Sequence, residues 1–433
     1  MVFRRATADT LSQRLSEPPN KLWVIVGPRH VGKTTMVRQV LADRPSPAGH
    51  WFVDADNPVD TGPINGPAAA LQAARLDTSF LPSRRADAAW LVACWARASA
   101  AARAFAAAQS PQRDGQAPHF VLVIDEVQRV SGWPALVKGL WDNSAATGVP
   151  MHVVLLGSAP MLVQQGLSES LMGRFELIRM AHWSLDEMHE AFGLTLQEYL
   201  YFGGYPYAAT LRQDEQRWRA YVRDSLISPS IDRDVLQMAR VDKPALMRQL
   251  FELGCQYSGQ IVALTKLVGS LQDAGNTTTL TGYLRLLENA GLLTALFKHS
   301  PQSIRQRASK PKLQVLNTAL QSACDPWSYA QALANPHHWG RLAESAVGAH
   351  LMNTGDSESG LQYWNESPHE VDFVISHRRR LAAIEVKTGK PRAARRGLRE
   401  FQQRFGACNT HVVGEDGIEL GEFLAYPAAH WVG

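Results

Sequence analysis

Short apolar runs alternate with segments of helical periodicity along the first part of the chain. Continuous apolar strands separated by helices are typical of a parallel sheet that is covered on both faces. The pattern therefore predicts an α/β domain over residues 1–195. Its strand-length runs lie at 21–26, 50–56, 120–125, 152–158 and 175–180.

An alanine-rich stretch interrupts this pattern. Residues 68–108 contain 18 alanines, with leucine and tryptophan among them. Alanine has the highest helix propensity, so we expect two helices here, forming an insertion that lies on the sheet.

The middle of the chain is helical from about residue 206 and ends in two short strands. Leucines at helical spacing mark three amphipathic helices before residue 291, and strands are predicted at 292–297 and 312–316. Three helices followed by a β-hairpin are typical of a winged helix-turn-helix; the alternative is a plain helical lid of an ATPase. We assign residues 196–320 to this middle domain and residues 330–433, with a mixed α+β pattern, to a C-terminal domain.

A phosphate-binding motif follows the first predicted strand. The segment 27–34 matches G-x4-G-K-[ST] and lies between a strand and a helix, as the mechanism requires. Backbone amides would surround the phosphates, Lys33 would reach the β- and γ-phosphates, and Thr34 would bind Mg²⁺. ATP and Mg²⁺ are the expected cofactors. The predicted nucleotide-binding residues are Gly27, Pro28, Arg29, His30, Val31, Gly32, Lys33, Thr34 and Thr35.

Further candidate catalytic residues follow the later strands. Asp125 suits the Mg²⁺ shell, and Glu126 can polarise the attacking water. Ser158 can contact the γ-phosphate or be an ordinary strand-end serine. Arg174 can stabilise charge on the γ-phosphate in its own subunit or across an interface, or it can form a surface salt bridge. The predicted catalytic set is Lys33, Glu126, Ser158 and Arg174.

Charged and apolar residues alternate in the C-terminal domain. Glu385 and Lys387 share one face of a strand, and Asp372 converges with Glu385 on one divalent ion if the two strands pair. Lys387 can position or activate a water, and Glu344 from the preceding helix is a further candidate ligand. Metal-dependent DNA hydrolysis is one interpretation of this pattern, and an ordinary surface hairpin is the other.

Two basic clusters are hidden by a nearly balanced composition of 44 Lys and Arg against 40 Asp and Glu. Residues 376–404 contain ten basic and two acidic residues, and the hairpin connection is basic without an acid. This distribution predicts contacts with a DNA backbone; the alternative is a solvated or protein-binding face. The predicted DNA-binding residues of the hairpin connection are Lys298, Arg305, Arg307, Lys310 and Lys312.

Several classes of protein are excluded by the remaining composition. The apolar runs are too short to span a membrane, and the first residues lack the apolar core of a secretory signal. The four cysteines lie at least 69 residues apart, without the spacing of a zinc site. These features predict a cytoplasmic protein that does not bind a membrane.

The order of the motifs resembles that of a large group of prokaryotic AAA-type ATPases. The resemblance implies an AAA-type ATPase domain, a winged-helix region and a C-terminal domain similar to restriction-endonuclease-like PD-(D/E)xK nucleases. The motifs that carry it are GPRHVGKTT (27–35), VIDEVQ (123–128), GSA (157–159), SLMGR (170–174) and YFGGYP (201–206).

Residue roles follow from this resemblance position by position. Ser158 resembles the sensor of the group, and Gln128 and Arg174 match recurring residues. Asn317 departs from the group, in which aspartate is frequent at this turn. Lys33, Thr34, Asp125 and Glu126 take the P-loop ATPase roles, and Glu344, Asp372, Glu385 and Lys387 match the nuclease-like positions in order.

The combined expectation is an ATP-hydrolysing AAA-type protein that acts on DNA through a winged helix and a nuclease-like domain. Self-association into a homo-oligomer is also expected. One alternative is a nucleotide-controlled switch that binds a protein partner and has an inactive C-terminal domain. The other is a DNA-binding regulator whose ATPase sets the oligomeric state.

Overall fold

A computed structural model of the 433-residue chain divides it into two compact units. The first consists of Met1–Pro28 and Gly32–Met180, and the second of Arg29–Val31 and Ala181–Gly433. The predicted middle and C-terminal domains lie together in the second unit, so their separate boundaries stay a prediction. The structure describes residues 3–44, 49–58, 65, 85–108, 119–158, 170–235, 241–271, 276–300, 309–387 and 394–433.

A parallel sheet forms the centre of the first unit. Its strands are β1 (Leu22–Val26), β2 (His50–Asp54), β3 (Phe120–Asp125), β4 (Met151–Gly157) and β5 (Phe175–Arg179). Their order is β2-β3-β4-β1-β5, and every neighbouring pair is parallel. The three central strands β3, β4 and β1 are buried along their whole length, as the continuous apolar runs predicted. The α/β prediction for this part of the chain is confirmed.

Helices accompany the sheet. Those in the described residues of this unit are α1 (Ala6–Ser16), α2 (Lys33–Ala42), α3 (Ala88–Ala108) and α4 (Trp133–Ala146). The second half of the alanine-rich stretch forms α3, which buries Trp90, Trp95 and Phe105 in the core around β3. The first predicted helix of that stretch falls mostly on residues outside those described. Within the described part of the chain, no helix combines the length and apolarity that crossing a membrane requires.

The second unit begins with helices and continues into a hairpin. The elements are α5 (Leu185–Phe192), α6 (Leu196–Phe202), α7 (Pro206–Ala209), α8 (Glu215–Ala220), π-helical segments at Tyr221–Ile227 and Ser230–Val235, α9 (Pro244–Gln256), α10 (Leu264–Ser270), α11 (Thr277–Asn289), β6 (Leu293–Leu296) and β7 (Lys312–Val315). β6 and β7 pair antiparallel. Three helices and a hairpin thus occur in the expected order, while the winged-helix assignment stays a prediction.

A mixed sheet completes the second unit. Its elements are α12 (Thr318–Cys324), α13 (Tyr329–Ala334), α14 (Pro336–Thr354), β8 (Ser359–Glu366), β9 (His369–His377), β10 (Arg380–Lys387), α15 (Ala394–Phe405), β11 (Asn409–Gly414) and α16 (Leu420–Ala425). The strand order is β11-β10-β9-β8, with β8, β9 and β10 antiparallel and β11 parallel to β10. Phe373 of β9 lies opposite Ile384 of β10, so Asp372 and Glu385 occupy neighbouring positions of the two strands.

Two adjacent glycines allow the end of α6 to approach the start of α12. Gly203 has φ +69, and a Cβ there would overlap Asn317 Oδ1; a Cβ on Gly204 would overlap the carbonyl oxygen of Trp183. Asn317 Oδ1 accepts hydrogen bonds from Ala319 N and Gly204 N, each at 3.1 Å. The residue that departs from the resembled family therefore acts as a neutral helix cap that also binds the glycine turn.

We expect Gly203→Ala to lower the free energy of unfolding by on the order of 3 kcal/mol, because the added methyl meets Asn317 in a backbone region that only glycine adopts readily. Urea unfolding monitored by circular dichroism measures the change. Gly282→Ala is the matched control, since a Cβ there has open space within α11, and a gain of about 0.5–1 kcal/mol is expected. Equal stability of the two variants would contradict the packing argument.

Candidate functional site

The phosphate-binding loop joins β1 to α2. Gly32, at φ +90, directly precedes α2, and His30 is also left-handed at φ +61. Lys33 is buried and donates hydrogen bonds to the carbonyl oxygens of Gly27 at 2.8 Å and Pro28 at 2.7 Å. The ammonium group therefore lies against the loop, whose backbone amides would surround a phosphate. Of the other predicted loop residues, Val31 is buried, Arg29 is half-buried and Thr35 is exposed.

The two predicted magnesium ligands are in contact. Thr34 Oγ1 donates a hydrogen bond to Asp125 Oδ2 at 2.7 Å. Burial raises the pKa of Asp125 to about 6, and the nearby Glu126 and Asp54 charges act in the same direction. A hydroxyl and a carboxylate at the first turn of α2 and the end of β3 are the oxygen donors that hold Mg²⁺ in P-loop sites. The residues present therefore fit a magnesium-bound nucleotide.

Glu126 is held by side chains from two neighbouring strand ends. It has a left-handed backbone, at φ +51, directly after β3. Ser158, which follows β4 and is 2% exposed, donates from Oγ to Glu126 Oε2 at 2.8 Å. Gln128 Nε2 donates to the same carboxylate oxygen. The structure thus brings together Glu126, Ser158 and Gln128 beside the Thr34–Asp125 pair, which is where a catalytic base and a sensor would be required.

Arg174 lies at the opposite edge of the sheet from the phosphate-binding loop. Its carbonyl oxygen accepts a hydrogen bond from Leu22 N at 2.8 Å, at the start of β1. The five steps from Leu22 to Gly27 span about 16 Å. The guanidinium group is held by Asp142 through Nε at 2.7 Å and Nη2 at 3.0 Å. The expectation of a γ-phosphate contact within the same chain is therefore wrong, whereas a contact across a subunit interface stays a prediction.

The predicted C-terminal residues line a cavity of about 500 Å³ in the second unit. Asp372 and Glu385 are both buried, and Asp372 Oδ2 accepts a hydrogen bond from the backbone N–H of Val386 at 2.8 Å. Glu385 Oε1 pairs with Lys387 Nζ at 2.8 Å. Glu344 of α14 also lines the cavity. The antiparallel register and the helix therefore bring all four predicted residues to one place, which we call the carboxylate cluster.

Lys312 is also part of the carboxylate cluster. Its side chain is fully buried, and Nζ lies 2.5 Å from Glu344 Oε1 and 3.6 Å from Asp372 Oδ1. The expectation that Lys312 contacts DNA is wrong in this fold, because its ammonium points into the protein. A lysine within the apolar strand KLQVL was the available signal, since a buried ammonium requires an acidic partner.

The other predicted DNA-binding residues have different surroundings. Lys310 is exposed, and Lys298 forms an ion pair with Glu366 at 2.7 Å. Arg305 and Arg307 lie outside the described residues. In the second basic cluster, Arg396 and Arg399 of α15 are exposed, and Arg378 pairs with Glu358.

A divalent ion shared by Glu344 and Asp372 does not fit the carboxylate cluster as it stands, whereas an ion shared by Asp372 and Glu385 stays a prediction. The ammonium of Lys312 occupies the space between Glu344 and Asp372 that a shared ion would need. In the part of the chain that the structure describes, Asp356, Glu358 and His377 are the acidic and histidine residues that bring three ligand atoms within 4.8 Å, and the predicted carboxylates are not among them.

The carboxyl groups of the cluster have raised pKa values. Burial raises the pKa of Glu385 to about 8 and that of Glu344 to about 7, and the negative charge of Asp372 raises both further.

The comparisons with known families bear on the first unit. Residues 92–189 match the family model of an AAA domain. Together with the phosphate-binding motif and the parallel sheet, this match supports an AAA-type P-loop ATPase domain in the first unit. ATPases of this type use ATP, typically with Mg²⁺, in agreement with the donor set at Thr34 and Asp125. Residues 194–331 and 339–429 match two domains of unknown function, DUF8612 and DUF4143.

Individual relatives are distant. The chain is 28% identical over 323 residues to uncharacterized proteins of Mycobacterium bovis and Mycobacterium tuberculosis, covering 74% of this chain and 59% of those proteins. Among solved structures, a Walker-type ATPase of Pyrococcus abyssi has 14% identity and a TM-score of 0.46, covering 75% of this chain and 96% of its own. AMPPCP-bound DnaA of Aquifex aeolicus has 12% identity and a TM-score of 0.31, covering 65% and 85%.

The raised pKa of Glu385 predicts a loss of stability as the pH rises. The group contributes stability below its ordinary pKa of 4.5, and this contribution is lost as the pH rises through about 8, because only the unfolded chain ionises it readily. We expect the wild type to lose on the order of 1 kcal/mol more than Glu385→Gln between pH 6 and pH 8.5. Urea unfolding at both pH values measures this difference. Parallel pH profiles for the two proteins would show that Glu385 ionises normally.

Proposed function

We propose that this protein binds ATP, hydrolyses it with Mg²⁺, and acts on DNA through a winged helix in its second unit. The observation that carries the ATPase part is the contact of Glu126 with Ser158 beside the Thr34–Asp125 pair. In this proposal the four residues would serve as water-activating carboxylate, sensor hydroxyl and two magnesium ligands at one edge of the sheet.

The proposed division of work follows from this geometry. The Lys33 ammonium would leave the loop carbonyls for the β- and γ-phosphates, and Thr34 and Asp125 would hold the magnesium ion that offsets phosphate charge. Glu126 would orient and deprotonate the attacking water, while Ser158 keeps its carboxylate in position. Arg174 would serve the γ-phosphate of a neighbouring copy, because it cannot reach that of its own chain.

Two substitutions separate nucleotide binding from hydrolysis. Lys33→Ala should abolish detectable ATP binding, because the phosphates lose their cation. Glu126→Gln should still bind ATP but hydrolyse it about 10²–10⁴-fold more slowly, because the water loses its base. Fluorescent-nucleotide titration and phosphate release measure the two effects.

The matched control is Glu176→Gln, which removes a carboxylate near the opposite edge of the same sheet, beside Trp23 of β1. It should hydrolyse ATP at the wild-type rate. Hydrolysis by Glu126→Gln at that rate would refute the assignment of the catalytic base.

Exposed basic side chains support the DNA part of the proposal. Arg285 lies on the exposed face of α11, which is the third helix before the hairpin, and Lys310 is exposed next to β7. Arg396 and Arg399 form a second exposed basic face on α15. Binding through such groups is governed by release of counterions from the phosphate backbone and so depends steeply on salt.

Lys310→Gln should weaken DNA binding by a similar factor on unrelated sequences, because a phosphate contact carries no sequence information. The slope of log affinity against log salt should fall in magnitude by about 0.9. Fluorescence anisotropy with two duplexes at several salt concentrations measures both quantities. Lys138→Gln, an exposed lysine of α4 in the first unit, is the charge-matched control. No binding of the wild type at low salt, with or without ATP, would refute the DNA proposal.

The C-terminal region is proposed to have a nuclease-like fold. Its support is the order of elements, in which α14 precedes three antiparallel strands, and α15 leads to a parallel fourth strand, with acidic residues on β9 and β10.

The Lys312–Glu344 ion pair favours a second candidate function. In this function the C-terminal domain does not cut DNA, and the protein is a nucleotide-controlled switch that binds a protein partner. Stimulation of the ATPase by single- or double-stranded DNA would support action on DNA. The absence of any DNA effect would favour the switch.

A further inference from the structure

The carboxylate cluster contains a lysine that comes from another part of the second unit. Lys312 is the first residue of β7 in the hairpin, whereas Glu344 lies on α14 and Asp372 on β9. Besides its two ion pairs, Lys312 Nζ donates a hydrogen bond to the carbonyl oxygen of Asp372 at 3.1 Å. The ammonium thus has two acceptors at hydrogen-bond distance, Glu344 Oε1 and the Asp372 carbonyl oxygen, and the Asp372 carboxylate lies slightly farther away.

We propose that Lys312 is the resident cation of the carboxylate cluster and that it competes with a divalent metal ion for the position between Glu344 and Asp372. The wild-type protein accordingly holds this cluster without a metal, and removal of the lysine charge converts it into a divalent-ion site. This inference depends on neither ATP hydrolysis nor DNA binding.

The backbone on both sides holds Lys312 in position. In the hairpin it lies opposite Leu296, and on its other side it forms a bridge with Ile261. Val262 N donates a hydrogen bond to the carbonyl oxygen of Pro311 at 2.9 Å, next to the lysine. A side chain that leaves a strand paired on both sides has a defined origin and direction.

The end of the side chain is also held by an aromatic ring. Lys312 Nζ lies 4.5 Å from the centre of the Phe373 ring, within the range of a cation–π interaction. Because Phe373 is fully buried in β9, the ring does not move freely. Lys312 is therefore a buried residue whose position in the cluster is fixed by its strand and by Phe373.

Charge accounting explains the competition. Three carboxylates, Glu344, Asp372 and Glu385, face two ammonium groups, Lys312 and Lys387. A divalent ion that bound beside both lysines would leave these groups with a net positive charge in a buried site even with all three carboxylates ionised, which is unfavourable. Without the Lys312 charge, two carboxylates would lose their cation. The Glu385 Oε2 atom, which is buried without a hydrogen-bond partner in the structure, would be an additional hard donor.

Binding of Mn²⁺ to the nucleotide-free full-length protein tests the proposal. Electron paramagnetic resonance of unbound Mn²⁺ counts the sites and gives their affinities. Lys312→Met should gain one site that binds at least about tenfold more tightly than any at this cluster in the wild type. Lys312→Arg keeps the charge and should resemble the wild type, and Lys312→Met combined with Asp372→Asn should lose the new site. The phosphate-binding loop is unchanged in all of these proteins, so any contribution from it cancels.

Two results would overturn the proposal. One is a folded Lys312→Met protein, as judged by near-ultraviolet circular dichroism, that gains no Mn²⁺ site. The other is a Mn²⁺ site in the wild type that disappears in the single variant Asp372→Asn. The second result needs no substitution of Lys312, so the proposal can be refuted even where Lys312→Met does not fold.

Discussion

The parallel arrangement of β3, β4 and β1 is the constraint on which the nucleotide site depends. Parallel strands present their carboxyl ends at the same edge of a sheet. The phosphate-binding loop after β1, the Asp125–Glu126 pair at the end of β3, and Ser158 after β4 must therefore lie together. The same geometry separates Arg174 from them, because it precedes its strand. A single topological fact therefore decides which of the candidate residues can act within one chain.

Burial then determines how each of these polar groups behaves. Asp125 ends a strand buried along its whole length, and its carboxylate is stabilised by the Thr34 hydroxyl and the Lys33 charge against the cost of desolvation. Glu126 lies one residue beyond the strand and takes its hydrogen bonds from Ser158 and Gln128. Two adjacent acids thus have different surroundings, as their proposed roles of metal ligand and base require.

In the second unit, the main electrostatic feature is a group of carboxylates that lie close together. A half-buried carboxylate from a helix and buried carboxylates from two strands line one cavity, and such a group is tolerated only when cations compensate it. Lys387 comes from the same strand as Glu385, but Lys312 comes from the hairpin that precedes the sheet. The hairpin and the mixed sheet consequently share one ionic centre, although the order of elements alone would separate them into two domains.

Local patterns were sufficient for the parts of the protein that depend on contiguous residues. The phosphate-binding motif, the buried strands and the pairing of Glu385 with Lys387 follow from spacing along one segment, because strand and loop geometry repeat wherever the residues allow it. The locations of Lys312 and Arg174 could not be read in this way. Alternation along β7 predicts that the strand has two faces, but it does not show which face the rest of the protein buries. The pattern of a strand also does not show at which end of the sheet a flanking arginine lies. Those two outcomes depend on contacts between residues distant in sequence, namely Lys312 with Glu344 and Asp372, and Arg174 with Leu22 and Asp142, so only the tertiary structure decided them.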